Sequence, residues 1–148
     1  MQIGIDLGAT KIESVVLDEN GEENFRERIE CPKDYIQTVE AIKQIVFGLE
    51  KKLNKKLNVG VCHPGIHSTH TGLVKNAPNC YWIEKKPLQK DLRESLKREV
   101  LCENDANCFT LSEAIDGSCE HYKIVFGIIL GSGCGGGLVV DKKIVTGT

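Results

Sequence analysis

The sequence predicts an α/β fold: a βββαβαβα unit followed by the opening hairpin of a second, similarly organised unit. Three observations predict it. Strand-like apolar runs separated by glycine turns open the chain, helical and strand periodicities alternate from Pro32 onward, and a second glycine hairpin near the C-terminus repeats the organisation of the first. A length of 148 residues suits one domain with its own core and does not by itself demand two.

Residues 2–7, 11–18 and 24–31 read as an antiparallel meander, with Gly8-Ala9-Thr10 and Asn20-Gly21 as its turns. Asn-Gly between apolar runs is a strong hairpin signal. After Pro32, Asp34 with Gln37 three residues on has the spacing of a capping box. Val39, Ile42, Val46, Leu49 and Leu53 follow at spacings of three and four, which predicts a helix with one apolar face. Residues 57–62 form a short buried strand. The loop 63–72, rich in Pro, Gly, His, Ser and Thr, follows its carboxyl end, where α/β folds place ligands.

A second helix over 87–98 begins on Pro87, suited to a first turn, and carries Leu88, Leu92 and Leu96 on one side. Residues 100–103 are another strand. Asn104-Asp105-Ala106-Asn107 leads into a third helix with Phe109, Leu111, Ala114 and Ile115 at apolar positions and Gly117 as its stop.

The last segment contains IILGSGCGGGLVV at 128–140, a G-x-G-x-x-G pattern at Gly131, Gly133 and Gly136. In a dinucleotide site such glycines open a helix. Here Leu138-Val139-Val140 and Ile144-Val145 flank a polar turn, so the glycines form a hairpin tip instead. The division expected from this repetition is 1–120 and 121–148, with Val125, Phe126, Ile128 and Ile129 of the terminal hairpin exposing apolar surface. Association with another chain, as a homo-oligomer or through that hairpin, is the expected consequence.

With 41% hydrophobic and 27% charged residues and a formal net charge of -2, the composition offers no electrostatic case for nucleic acid or an anionic membrane. The opening residues lack a signal-peptide pattern and no apolar run approaches a transmembrane span, so the expected location is cytoplasmic. The seven cysteines contain no C-x-x-C pair and read as reduced thiols, several of them buried.

GIDLGATKIE at 4–13, CHPGI at 62–66, ENDANCFTLSEA at 103–114 and LGSGCGGGL at 130–138 together resemble the ROK family of sugar kinases, repressors and unassigned reading frames. The resemblance runs the whole length of the chain. It implies the actin/hexokinase-like, ribonuclease H-like fold, with hexose and ATP held in a cleft between two domains. Members with kinase activity are considerably longer; the remaining sugar-site residues, the adenosine-binding glycines and a zinc motif are expected in that further half. The 148 residues alone are therefore expected not to turn over at a normal rate.

The residues support several readings, to which the resemblance adds roles. Asp6 ends an apolar strand, where an aspartate either caps the turn or, as the family implies, faces ATP-bound magnesium through water. The resemblance makes Gly8, Thr10 and Lys11 in the first turn, and Gly131, Ser132, Gly133 and Gly135 in the second, the ATP phosphate contacts; glycine lets backbone N–H groups approach phosphate closely. Lys11 also reads as a solvated surface lysine. Either Asn104 or Asp105 is a good helix cap, while the family makes Asp105 the general base that takes the sugar hydroxyl proton. It also places Gly65, Asn79 and Asn104 with Asp105 against the sugar, although Asn79 alone reads as a turn residue. Cys62, His63, His67 and His70 invite a metal reading, against which structural or solvent-facing histidines are preferred because no second ligand pair follows.

GLVKNAPNCYW followed by KPLQKDL most resembles the fructokinase and mannokinase-like branch, with N-acetylglucosamine kinases a near second and glucose kinases in the same group. Phosphorylation of a fructose- or mannose-type hexose at the 6-hydroxyl is the expectation. A non-catalytic sugar-binding or regulatory protein is the other reading, with DNA binding disfavoured because the chain opens directly in its first strand.

Overall fold

The computed structural model describes every residue except Thr69, Ser132, Gly147 and Thr148. Contacts divide the chain into two compact units, Met1–Cys102 and Glu103–Thr148.

The first unit opens with β1 (Gln2–Leu7), β2 (Lys11–Leu17) and β3 (Glu23–Glu30), antiparallel as the turn residues dictate. Asp18 organises the second turn by accepting from the Asn20 and Glu22 amides, and Gly21 takes the left-handed conformation at φ 83°. Helix α1 (Tyr35–Leu53) starts at the predicted cap: the Asp34 carboxylate accepts from the Gln37 amide at 2.9 Å. The chain then returns as β4 (Asn58–His63), parallel to β1 and in register Asp6 to Cys62. A short pair, β5 (Ile66–His67) with β6 (Val74–Lys75), and a 3₁₀ turn (Pro78–Ile83) occupy the segment beyond it. Helix α2 (Leu88–Leu96) and β7 (Val100–Asn104) complete a sheet of order β3-β2-β1-β4-β7.

Strand alternation sends Ile3, Ile5 and Leu7 of β1, Ile12 and Val16 of β2, and Val59 and Val61 of β4 to one face, where they are buried. Ile42, Val46 and Leu49 of α1 and Leu88, Leu92 and Leu96 of α2 close over them. Arg98 and Glu50 pair beneath this layer with 12% side-chain exposure each; Arg98 also donates to the Leu57 carbonyl at 3.0 Å, tying the end of α1 to the start of β4.

The second unit comprises α3 (Asp105–Ile115), β8 (Ile124–Leu130), β9 (Cys134–Val140) and β10 (Lys143–Ile144), with sheet order β10-β9-β8. Helix α3 packs on β8 and β9, burying Ala114, Val125 and Val139. Of its apolar positions Ala114 is buried, together with Ala106 and Thr110, whereas Phe109 and Ile115 are 43% and 45% exposed. The cross-strand pair Gly127 and Gly137 explains this. A Cβ at Gly127 would lie 2.2 Å from Thr110 Oγ1, and one at Gly137 would lie 2.6 Å from the Ala106 carbonyl oxygen, so helix and sheet approach too closely for large side chains.

Two further expectations need restating. Val125 is not part of the exposed apolar surface but is buried under α3; strand alternation leaves Phe126 and Ile128 outside, joined by Ile124 and Leu130. The compact units meet at Cys102/Glu103 because α3 packs with the second hairpin; the domain division at residue 120 is a different kind of boundary and stands as a proposal. Among the described residues no helix is long and apolar enough to cross a membrane.

Candidate functional site

In the first unit, β1 delivers Asp6 to the sheet end on the face opposite the core, and Asp6 Oδ1 accepts from the Cys62 thiol at 3.4 Å. A hard divalent cation takes oxygen ligands and keeps water, so an exposed carboxylate at a strand end suits it. The following turn is closed by its own backbone: the Gly8 amide donates to the Lys11 carbonyl at 2.9 Å, and a Cβ at Gly8 would sit 3.1 Å from that oxygen. Gly8 therefore shapes the turn. Lys11 Nζ lies 3.8 Å from Glu13, a carboxylate already held by Arg26 and Arg28, which keep it below its ordinary pKa. A third, half-exposed cation gains little there.

Beyond β4, Gly65 adopts φ 79°, and a Cβ on it would fall 2.4 Å from the Lys75 carbonyl oxygen. Only glycine fits this turn. Asn79 is exposed on the 3₁₀ turn, whose Cys80, Trp82 and Ile83 are buried in the core. His63 is fully buried; since the Pro64 carbonyl can only accept, His63 Nδ1 carries the proton in their 2.8 Å hydrogen bond, and the ring centroid lies 4.7 Å from that of His67, the two rings tilted at 45°. Of the two preferred histidine readings His63 takes the structural one. Among the described residues no three His, Cys, Asp or Glu side chains gather as a metal site. A cleft of about 530 Å³ near α2, lined by His67, Ser68, Gln89 and Arg93 among others, contains none of the predicted site residues that lie among the described residues.

In the second unit the N-terminus of α3 is organised by three side chains. Asn104, not Asp105, is the cap: its Oδ1 accepts from the Asn107 amide at 3.1 Å, and its Nδ2 donates to Asp105 Oδ1 at 2.9 Å. Asp105 Oδ1 also accepts the Ala106 amide at 2.8 Å. Both of these contacts fall on Oδ1. Glu103, which sequence reasoning missed, accepts from the Asn104 amide and from Asn107 Nδ2. The visible signal was a third polar side chain beside the cap.

The same helix start lies against the glycine hairpin. A Cβ on Gly135 would be 3.2 Å from the Ala106 Cβ, next in chain to Asp105. At the tip, Gly131 donates to the Gly133 carbonyl at 2.9 Å and both glycines are exposed; Ser132 lies outside the described residues. The tip continues into β9, not into a helix, as the sequence predicts. The helix turn that carries Asp105 thus packs on the start of β9, just after the glycine tip, within one compact unit.

A family model described as ROK family matches residues 2–148. The chain belongs to the ROK family. Among its relatives, an N-acetyl-D-glucosamine kinase of Mannheimia succiniciproducens is 43% identical over 99% of this chain and 48% of the relative. An enzyme of the same name from Histophilus somni is also 43% identical, with the same coverage. A crystal structure of a ROK family glucokinase from Streptomyces griseus in complex with glucose and AMPPNP superposes with a TM-score of 0.87 at 30% identity, covering 99% of this chain and 46% of the glucokinase. A ROK hexokinase from Thermus thermophilus gives 0.85 at 26% identity, covering 99% and 49%. This ROK chain therefore has the actin/hexokinase-like fold and spans about half the length of the curated relatives it matches. None of these relatives is named as a fructokinase, and the substrate in the names of the first two favours the second of the two branches weighed from sequence.

Proposed function

We propose that this ROK chain is the N-terminal half of an ATP-dependent hexose kinase acting at the 6-hydroxyl, with N-acetyl-D-glucosamine as the preferred acceptor. The observation that carries the reading is the placement of Asp105 on the helix turn packed against the second glycine hairpin, in a chain 43% identical to N-acetyl-D-glucosamine kinases. Asp105 Oδ2 takes the proton of the 6-hydroxyl as its oxygen bonds to the γ-phosphorus and the bond to the departing ADP oxygen breaks. A positioned base contributes on the order of 10²- to 10⁴-fold. Asn104 serves the hexose chiefly by holding Asp105 in one rotamer, and Gly65 and Asn79 are further hexose contacts in this reading.

Phosphoryl transfer otherwise rests on alignment and charge neutralisation. The amides of the two glycine turns, with Thr10, Lys11 and Ser132, hold the ATP phosphates. Gly135 contributes by letting the hairpin approach α3. Asp6 would hold magnesium through water; when bound, the ion supplies neutralisation of phosphate charge. The exposed β8 face is a surface for association with further polypeptide.

The test is a coupled assay with ATP, magnesium and a hexose panel on a chimera joining this chain to the remaining half of the Mannheimia kinase. The expected ranking of kcat/KM places N-acetyl-D-glucosamine above glucose, mannose and fructose. A chimera that prefers fructose, or that phosphorylates no hexose, contradicts the proposal.

A further inference from the structure

Glu84 belongs to none of the motifs and has no part in the chemistry above, yet its half-buried carboxylate accepts two consecutive main-chain amides. Oε2 takes the Ala77 amide at 2.7 Å and Oε1 the Asn76 amide at 3.3 Å. These amides point together because Asn76 takes the left-handed conformation at φ 58°. The segment they begin is rooted by the fully buried Ala77 and Cys80 and raises Asn79 into solvent. Its neck is closed by Val74, which accepts from Lys85 at 2.8 Å and donates to Lys86 at 3.0 Å.

Gly65 rests on the same segment. A Cβ there would meet the Lys75 carbonyl oxygen at 2.4 Å and the Ala77 Cβ at 3.1 Å, so the turn carrying Gly65 is packed directly on the residues Glu84 holds. One carboxylate thereby fixes two stretches far apart in sequence, the turn at Gly65 and the turn at Asn79. We propose that Glu84 is a positioning residue for hexose recognition, setting Gly65 and Asn79 as one rigid surface; this rests on the reading that those two residues contact the sugar. Each amide has its own carboxylate oxygen here, and a glutamine in the same pose would turn its NH₂ toward one of them, keeping one bond and losing the other.

The experiment uses Glu84→Ala and Glu84→Gln. In the chain itself, amide hydrogen exchange at Asn76 and Ala77 should accelerate in Glu84→Ala and less in Glu84→Gln, with α1 unchanged. In the Mannheimia chimera, Glu84→Ala should raise KM for N-acetyl-D-glucosamine about tenfold, the loss of a charge-assisted contact, with partial rescue by Glu84→Gln. The KM for ATP and the kcat at saturating sugar should stay within about twofold. Unchanged exchange at Asn76 and Ala77, an unchanged sugar KM, or a parallel fall of kcat and both KM effects in Glu84→Gln overturns the proposal. Asn79→Ala separates the two claims: if it leaves the sugar KM unchanged, the reading of the sugar site fails, whereas a raised KM in Asn79→Ala with none in Glu84→Ala sinks the positioning role alone. A chimera without activity overturns both.

Discussion

The two glycine hairpins share a plan and differ in what covers them. In the first, β1 pairs with both β2 and β4, its inner side chains Ile3, Ile5 and Leu7 are buried, and its outer ones are Gln2, Gly4 and Asp6. In the second, β8 pairs among the described residues with β9 alone; Val125 is buried, while the outer positions are Ile124, Phe126, Ile128 and Leu130, the last 80% exposed. The turn and the alternation are local properties that a sequence can write twice. Burial is not local. The outward side chains of β8 are 55% to 80% exposed, so each forgoes part of the roughly 1.5–3 kcal/mol that full burial brings, whereas the outer face of β1 carries Gln2 and Asp6.

The largest effect that would break this comparison concerns helix approach. Gly137→Ala places a Cβ 2.5 Å from Thr110 Oγ1 and should cost the second unit about 3 kcal/mol, read as faster amide exchange throughout α3. Gly60→Ala in the first unit, where nothing lies within 4 Å, should change stability by less than about 0.5 kcal/mol. Equal effects would show that the two sheets are packed alike.

Next is the Arg98–Glu50 pair, which has no counterpart among the described residues of the second unit. Arg98→Ala should destabilise the first unit by about 2 kcal/mol, short of the full cost of breaking a wholly buried pair. The Arg98 guanidinium holds Glu50 below the ordinary 4.5, so the unfolded chain binds the proton more readily. The contribution is complete above pH 4.5 and is lost as pH falls through the lower folded value. Denaturation across pH should therefore show Arg98→Ala and the unsubstituted chain differing most near neutrality and converging in acid.

Phe126→Lys sharpens the contrast between the two hairpins at smaller energy. Stability should move by no more than about 0.5 kcal/mol, because Phe126 is 65% exposed, while light scattering should record weaker self-association. A large loss of stability would mean that the outer face of β8 is already packed. The smallest effect compares caps: Asp34→Ala and Asn104→Ala should each cost about 1 kcal/mol in helix stability. Only the second should also reduce phosphoryl transfer in the chimera, because only Asn104 also holds the carboxylate proposed as the base.

Most of the architecture was legible because it is periodic. β1 spans the predicted residues, Asp34 caps α1, and the leucines of α2 face the core. The missed elements, the β5–β6 pair and the 3₁₀ turn, are held by Glu84, by Val74 and by burial of Cys80 and Ile83, none of which has a sequence period. Of the apolar positions of α3, Ala114 is buried while Phe109 and Ile115 are exposed, because Gly127 and Gly137 require small residues opposite them, a demand that no apolar period encodes. At the site, ENDAN made a capped helix start legible, but which residue caps was settled only by where the Asn104 amide points.

The most direct measurement is the rate of phosphoryl transfer from ATP to N-acetyl-D-glucosamine by the chimera with and without Asp105→Asn, alongside calorimetric sugar binding. Loss of about 10²- to 10⁴-fold in kcat with sugar binding retained is the predicted result. A variant that keeps its rate would contradict the assignment of Asp105 as the base.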